Sequence, residues 1–161
     1  MNHAINYMQA AIDEACIGKA NNHGGPFGAV VVLNGDIIGR GHNRVCVDLD
    51  STQHGEMVAI RNAYKEIGNI CSTEFYRPLE GSVLYTTCYP CPMCLGACLW
   101  SGISKIYYGC TSYDAKQIGF DDETFHEYFS LNDKAKSLLV QDIKNYAACK
   151  KLFDEYNGVH Y

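Results

Sequence analysis

His54-Gly55-Glu56 and, further along, Pro90-Cys91-Pro92-Met93-Cys94 are the residues of this chain whose types and spacing can do chemistry. One neutral imidazole and two thiolates hold a zinc ion and leave its fourth position open. An ion held that way lowers the pKa of a bound water and supplies a hydroxide nucleophile near neutral pH. Cys91 and Cys94 are three apart, so a helix puts both sulfurs on one face. A helix N-terminus also favours thiolate over thiol. Glu56 shares a helical turn with His54 but points elsewhere, which suits a proton shuttle better than a fourth ligand. The expectation is one zinc ion per subunit on His54, Cys91 and Cys94, with Glu56 moving protons. A lone C-x-x-C is also a redox pair or half of a structural zinc site, which Cys88 or Cys98 would complete. Zinc binding alone does not need Glu56, which weighs against that alternative.

These side chains need a scaffold. Ala4 to Asn21 carries Ile5, Met8, Ala11, Ile12, Ala15 and Cys16 at helical spacing. Phe27 to Leu33 is apolar and β-branched, hence a strand. Asn34-Gly35 is a hairpin signal, with Asp36 to His42 as the returning strand. His54 to Ile67 reads as a helix, Ser82 to Thr86 as a strand, Pro90 to Trp100 as a short helix and Ile103 to Tyr108 as a strand. Gly68 to Glu80 is a loop. Asp121 to Phe129 and Asp142 to Tyr156 are expected helices, and Ser137 to Val140 a short strand. The alternation predicts an α/β sandwich with a mixed sheet that opens on an antiparallel hairpin.

The 161 residues suit one domain, 1–161. The formal net charge is −5 with no long basic run, so a small neutral substrate fits better than a nucleic acid. Nine cysteines is an odd number, and Met1 leads into a polar stretch without a basic and apolar leader. Reduced thiols and a cytoplasmic location are therefore expected, rather than a secreted disulfide scaffold. No apolar run approaches the length of a membrane span.

The order H-x-E…P-C-x-x-C is the signature of zinc nucleobase deaminases. From about Pro26 to Asp122 the chain resembles the cytidine/deoxycytidylate deaminase superfamily. Gly25-Pro26-Phe27-Gly28-Ala29-Val30, Gly41-His42-Asn43, Cys88 to Ala97, Trp100, and Asp114-Ala115 leading to Gly119-Phe120-Asp121-Asp122 resemble its bacterial zinc-dependent guanine deaminases. That resemblance implies a three-layer α/β/α sandwich around a five-stranded sheet. It implies that Asn43 hydrogen-bonds the base and that Phe27 and Trp100 pack against its ring. Asp122 would be a second acid/base or recognition carboxylate. Tyr161 would reach in from the other subunit of a domain-swapped homodimer. The implied reaction is hydrolysis of guanine to xanthine and ammonia.

Two positions depart from the family pattern. His54-Gly55-Glu56 replaces the usual His-Ala-Glu, and Tyr89 stands where a glutamate is usual. His-Gly-Glu and Leu84-Tyr85-Thr86-Thr87 resemble fungal-type cytosine deaminase. Gly55 adjoins the catalytic carboxylate, so the missing methyl is expected to enlarge the pocket floor and bear on substrate choice. Rival readings are a cytosine deaminase, another guanosine, purine, pterin or triazine aminohydrolase, a tRNA adenosine deaminase, and a zinc-stabilised binding protein without turnover.

Overall fold

The computed structural model describes residues 6–68, 77–131, 138–139 and 143–156. The first helix, α1 (Tyr7–Ala20), starts where the Asn6 side chain accepts the Gln9 amide, and it buries Ala10, Ala11, Ala15 and Gly18. Strands β1 (Gly28–Leu33) and β2 (Asp36–His42) pair antiparallel, Gly28 opposite His42. Asn34 and Gly35 both have positive φ, 53° and 89°, the backbone of the hairpin turn those residues predict. The short helix α2 (Val45–Asp48) follows, then α3 (Gly55–Ile67). Strand β3 (Val83–Cys88) lies antiparallel to β1. The helix α4 (Pro92–Trp100) connects it to β4 (Lys105–Cys110), which is parallel to β3. The last helices are α5 (Ser112–Gln117), α6 (Glu123–Ser130) and α7 (Tyr146–Asp154).

The sheet is mixed, with order β2-β1-β3-β4. Alternation along β1 sends Ala29 and Val31 to one face and Val30 and Val32 to the other. The first pair meets Ala59, Ile60 and Ala63 of α3, Cys98 of α4, Leu79 and Leu84. The second meets Ala10 and Ala11 of α1. Helices on both faces make the α/β/α layering. Full burial of Leu84, Val30 and Val31 stabilises the fold by roughly 1.5–3 kcal/mol per side chain. The helix α3 sits unusually close to β2. A Cβ on Gly41 would lie 2.4 Å from Ala59 N and 2.6 Å from Gly55 O, so only glycine fits. This close seat brings His54 and Glu56 to the end of the sheet.

Three expectations are corrected. The sheet has four strands among the described residues, not five. Of the proposed fifth strand, Leu138 and Leu139 lie in no strand, and Ser137 and Val140 are outside the described residues. The metal-site helix begins at Pro92 rather than Pro90, because a residue before proline is pushed out of the helical region and Cys91 is extended, φ −62° and ψ 164°. The two short helices α2 and α5 were not expected.

Candidate active site

His54 is the N-cap of α3 and Cys91 the N-cap of α4, so two helix starts converge. Cys94 lies in the first turn of α4 and is fully buried. His54 Nδ1 is 3.5 Å from Cys91 Sγ and 3.6 Å from Cys94 Sγ. All three ligand atoms fall within 4.8 Å of one another. With Zn–S about 2.3 Å and Zn–N about 2.0–2.1 Å, a tetrahedral ion puts nitrogen and sulfur about 3.5 Å apart. The donor set therefore fits zinc in type and spacing. Both sulfurs and the imidazole are spoken for, and Cys88 and Cys98 are not in the cluster. Cys88 donates to the Thr111 carbonyl instead.

The electrostatics favour ligation. The hydrogen bond from the Cys94 thiol holds the Cys91 thiol down to about 4, against the opposing effect of burial. Donating that bond pushes Cys94 up. The Cys91 sulfur in turn raises His54. Cys91 is thus a ready thiolate at a helix N-terminus.

Glu56 is buried next to this cluster. Its Oε1 accepts from Thr86 Oγ1 at 3.0 Å, and its Oε2 lies 3.4 Å from Cys94 Sγ. Desolvation raises its pKa. A carboxylate with one oxygen pinned and the other beside the ligands is built to exchange a proton there.

A cavity of about 960 Å³ opens over the cluster, lined by His54, Glu56, Cys91, Asn43, Phe27 and Asp122 among others. Asn43 is buried; its backbone N–H donates to Phe27 O, and its Oδ1 accepts from Val45 N at 3.1 Å. That fixes the side-chain amide and leaves Nδ2 as the donor available to a ligand. Phe27 meets Phe120 edge to face at 4.9 Å, and Phe125 and Phe129 extend the apolar wall. Asp121 accepts the Glu123 amide and pairs with Lys116, which leaves Asp122 for the cavity. Asp122 Oδ1 is buried without a protein partner, and desolvation raises this carboxyl.

Two of the remaining expected residues, Gly55 and Trp100, do not line the cavity. A Cβ on Gly55 would meet Phe27 O at 3.1 Å and Gly28 Cα at 3.3 Å. The space beside Gly55 is thus filled by β1 backbone, and the missing methyl opens no pocket floor. Trp100 is 65% exposed at the far end of α4 and does not line the cavity. Tyr161 lies outside the described residues. Sequence reasoning missed Thr86, whose signal was its place on the buried face of β3 with Leu84 and Cys88. It also gave no role to Phe120, although its neighbours were singled out.

Residues 1–110 match the cytidine and deoxycytidylate deaminase zinc-binding region, and the chain belongs to that family. The guanine deaminase of Bacillus subtilis (strain 168) is 41% identical over 127 residues, which cover 79% of this chain and 76% of the relative. The X-ray structure of guanine deaminase from Bacillus subtilis matches with a TM-score of 0.82 and 34% identity, covering 100% of this chain and 99% of that one. The tRNA-specific adenosine deaminase of Bacillus subtilis (strain 168) is 43% identical over 111 residues, 68% of this chain and 62% of the relative.

Proposed function

We propose that this chain is a zinc-dependent nucleobase aminohydrolase that converts guanine and water to xanthine and ammonia. The observation that carries the reading is Glu56. A buried carboxylate oriented by Thr86 beside a three-ligand metal cluster, at the floor of an aromatic cavity, serves proton transfer and has no part in a purely structural site. Guanine is preferred because the likeness to the guanine deaminase spans nearly the whole of both chains, whereas the likeness to the tRNA-specific enzyme covers about two thirds.

Zinc, when bound, supplies the Lewis acidity that lets water act as a nucleophile near neutral pH. The chain's own residues do the rest. Glu56 accepts one proton from the attacking water and passes it to a ring nitrogen; it then takes the second proton from that same oxygen, as the new carbonyl forms, and delivers it to the departing amine. Thr86 keeps one carboxylate oxygen fixed during that exchange. Asn43 Nδ2 donates to an acceptor on the base, and the Phe27–Phe120 corner holds the ring and excludes water. Asp122 supplies a carboxylate to the purine edge. Each buried polar group left unpaired by the wrong base penalises it.

The proposal extends to assembly. The helix α7 buries none of its residues, and Leu152 and Phe153 are 72% and 77% exposed. Those apolar groups support a homodimer in which the C-terminal segment of a single-domain subunit packs on its partner and Tyr161 reaches the partner's site. No helix of the described residues is long and apolar enough to cross a membrane. The cysteines among the described residues are free thiols, which supports a cytoplasmic location.

The test is Glu56→Gln, assayed for metal content and for ammonia release from guanine, cytosine, guanosine and adenine. Zinc content should stay, and guanine turnover should fall by roughly 10²–10⁴-fold. Surviving turnover would sink the mechanism. Turnover of cytosine without guanine by the wild type would keep the chemistry and discard the purine pocket.

A further inference from the structure

Behind the cavity wall, outside the residues used so far, three titratable side chains are joined end to end. His42 Nδ1 is 3.1 Å from Glu14 Oε2, and His42 Nε2 is 2.8 Å from His23 Nδ1. The two rings lie 22° from coplanar, as an in-plane N–H···N bond requires. His42 and Glu14 are only 12% and 15% exposed in their side chains. The chain Glu14–His42–His23 thus ties α1 to the end of β2 and to the 21–27 loop.

The relay adjoins Asn43. His42 directly precedes Asn43. The His23 carbonyl accepts the amides of Cys46 and Val47, the residues that follow Val45, whose own amide holds Asn43 Oδ1. Gly24 follows His23 and presses on the same amide group: a Cβ there would lie 2.0 Å from Asn43 Oδ1. Asn43 is therefore bracketed on two sides by residues bonded to the histidine pair.

The carboxylate of Glu14 can only accept, so it takes His42 Nδ1–H, and His42 Nε2 carries the lone pair that accepts from His23 Nδ1–H. Other charged groups face the relay: Arg44 and Asp48 of α2, Arg40 of β2, and Arg61 and Lys65 of α3 share the groove with His42 and Glu14.

We propose that the Glu14–His42–His23 relay is a positioning device for Asn43, which sets affinity for the base while leaving the chemical step alone. This rests on the reading of Asn43 as the base-binding donor. The experiment compares the zinc-loaded wild type with His42→Ala and His42→Gln. It measures kcat and KM for guanine at pH 7.5, and ring tautomers by ¹⁵N NMR. His42→Ala should raise KM by about 3–10-fold, the loss of one aligned hydrogen bond, with the effect falling on KM rather than kcat. Glutamine can donate to Glu14 and accept from His23, so His42→Gln should restore KM. The same KM in all three proteins, or a His23 Nδ1 without its proton in the wild type, would overturn the relay. If His42→Ala fails to fold, His23→Ala, which removes only the outer ring, takes its place with the same expected rise in KM. A wild type that releases no ammonia from guanine overturns the functional reading instead, and the tautomers then settle the relay.

Discussion

Replacing Gly55 with alanine would restore the residue more usual in the family, yet this structure predicts harm. The added Cβ would stand 3.1 Å from Phe27 O, 3.3 Å from Gly28 Cα and 3.4 Å from Gly28 N. All three are backbone atoms of β1 or its entry, so no side-chain rotation relieves them. The first turn of α3 must instead retreat by a few tenths of an ångström. Overpacking of this kind costs about 1–3 kcal/mol. Losing the unfolded-state freedom of glycine returns about 0.4–1 kcal/mol. The net is a destabilisation of about 1 kcal/mol, or a Tm lower by about 2–4 °C for a domain of this size. Function should suffer too. Phe27 O is the acceptor of the Asn43 amide, and His54 and Glu56 flank the displaced residue. A 1 Å misplacement can cost about 100-fold, so a few tenths should lower kcat/KM by about 2–5-fold. Thermal unfolding by circular dichroism and steady-state ammonia release test both halves. A variant with a raised Tm and unchanged kinetics would refute the tight seat.

Two further outcomes follow from single hydrogen bonds. Thr86→Val removes the 3.0 Å donor to Glu56 Oε1 while keeping the volume, and should lower kcat/KM about tenfold, equivalent to about 1.4 kcal/mol, with zinc content unchanged by metal analysis. At the start of α5, Thr111 and Asp114 form a reciprocal cap, and the Thr111 hydroxyl bond lowers the Asp114 carboxyl. A folded-state pKa below the unfolded one gives stability that is present above the unfolded carboxylate range, about 3.9, and fades as pH falls through the folded value. Asp114→Asn should therefore melt below the wild type at pH 6, and the two melting curves should converge in acid; a constant gap across that range would rule out the charge.

The His54, Cys91 and Cys94 cluster, which could hold a metal ion, was legible in the sequence because coordination fixes residue type and spacing together. Few substitutes exist for His54, Cys91 and Cys94, and Glu56 is tied to them by two residues of helix. The hairpin was legible for a similar reason: Asn34-Gly35 is one of few pairs that accept two positive φ values. Thr86 was hidden because threonine is ordinary in a strand, and only the pairing of β3 beside α3 shows that its hydroxyl meets a carboxylate. The helix α5 was hidden because six residues carry no apolar stripe, although Thr111 and Asp114 had the spacing of a capping box. Trp100 shows the reverse error. An aromatic close in sequence to metal ligands is not close in space when a helix carries it away from them.

Three of the expected site residues share one structural position. His54, Cys91 and Asp122 are the N-caps of α3, α4 and α6, and none of their side chains makes a capping bond. Asn6 on α1 and Thr111 on α5 do cap their helices, while the N-cap side chains of α2 and α7, which lie away from the metal cluster, make no capping bond either. A side chain that caps contributes about 0.5–2 kcal/mol to its helix. Histidine and cysteine supply less than the preferred caps, and Asp122, a preferred cap, instead sets Oδ2 3.9 Å from His126 Nε2, one turn along the helix, with Oδ1 left without a protein partner. An N-cap side chain leaves the helix at its positive end, which favours thiolate and carboxylate. Its backbone is extended or otherwise non-helical, so the side chain escapes the helix surface and faces whatever lies beyond the terminus. Here three such termini face one cavity. The fold gives up local capping at those ends, and the close seat of α3 on β2 at Gly41 and the buried faces of β1 and β3 hold the helices in place instead. That trade leaves the side chains of His54, Cys91 and Asp122 free to meet at the cavity rather than close their own helices.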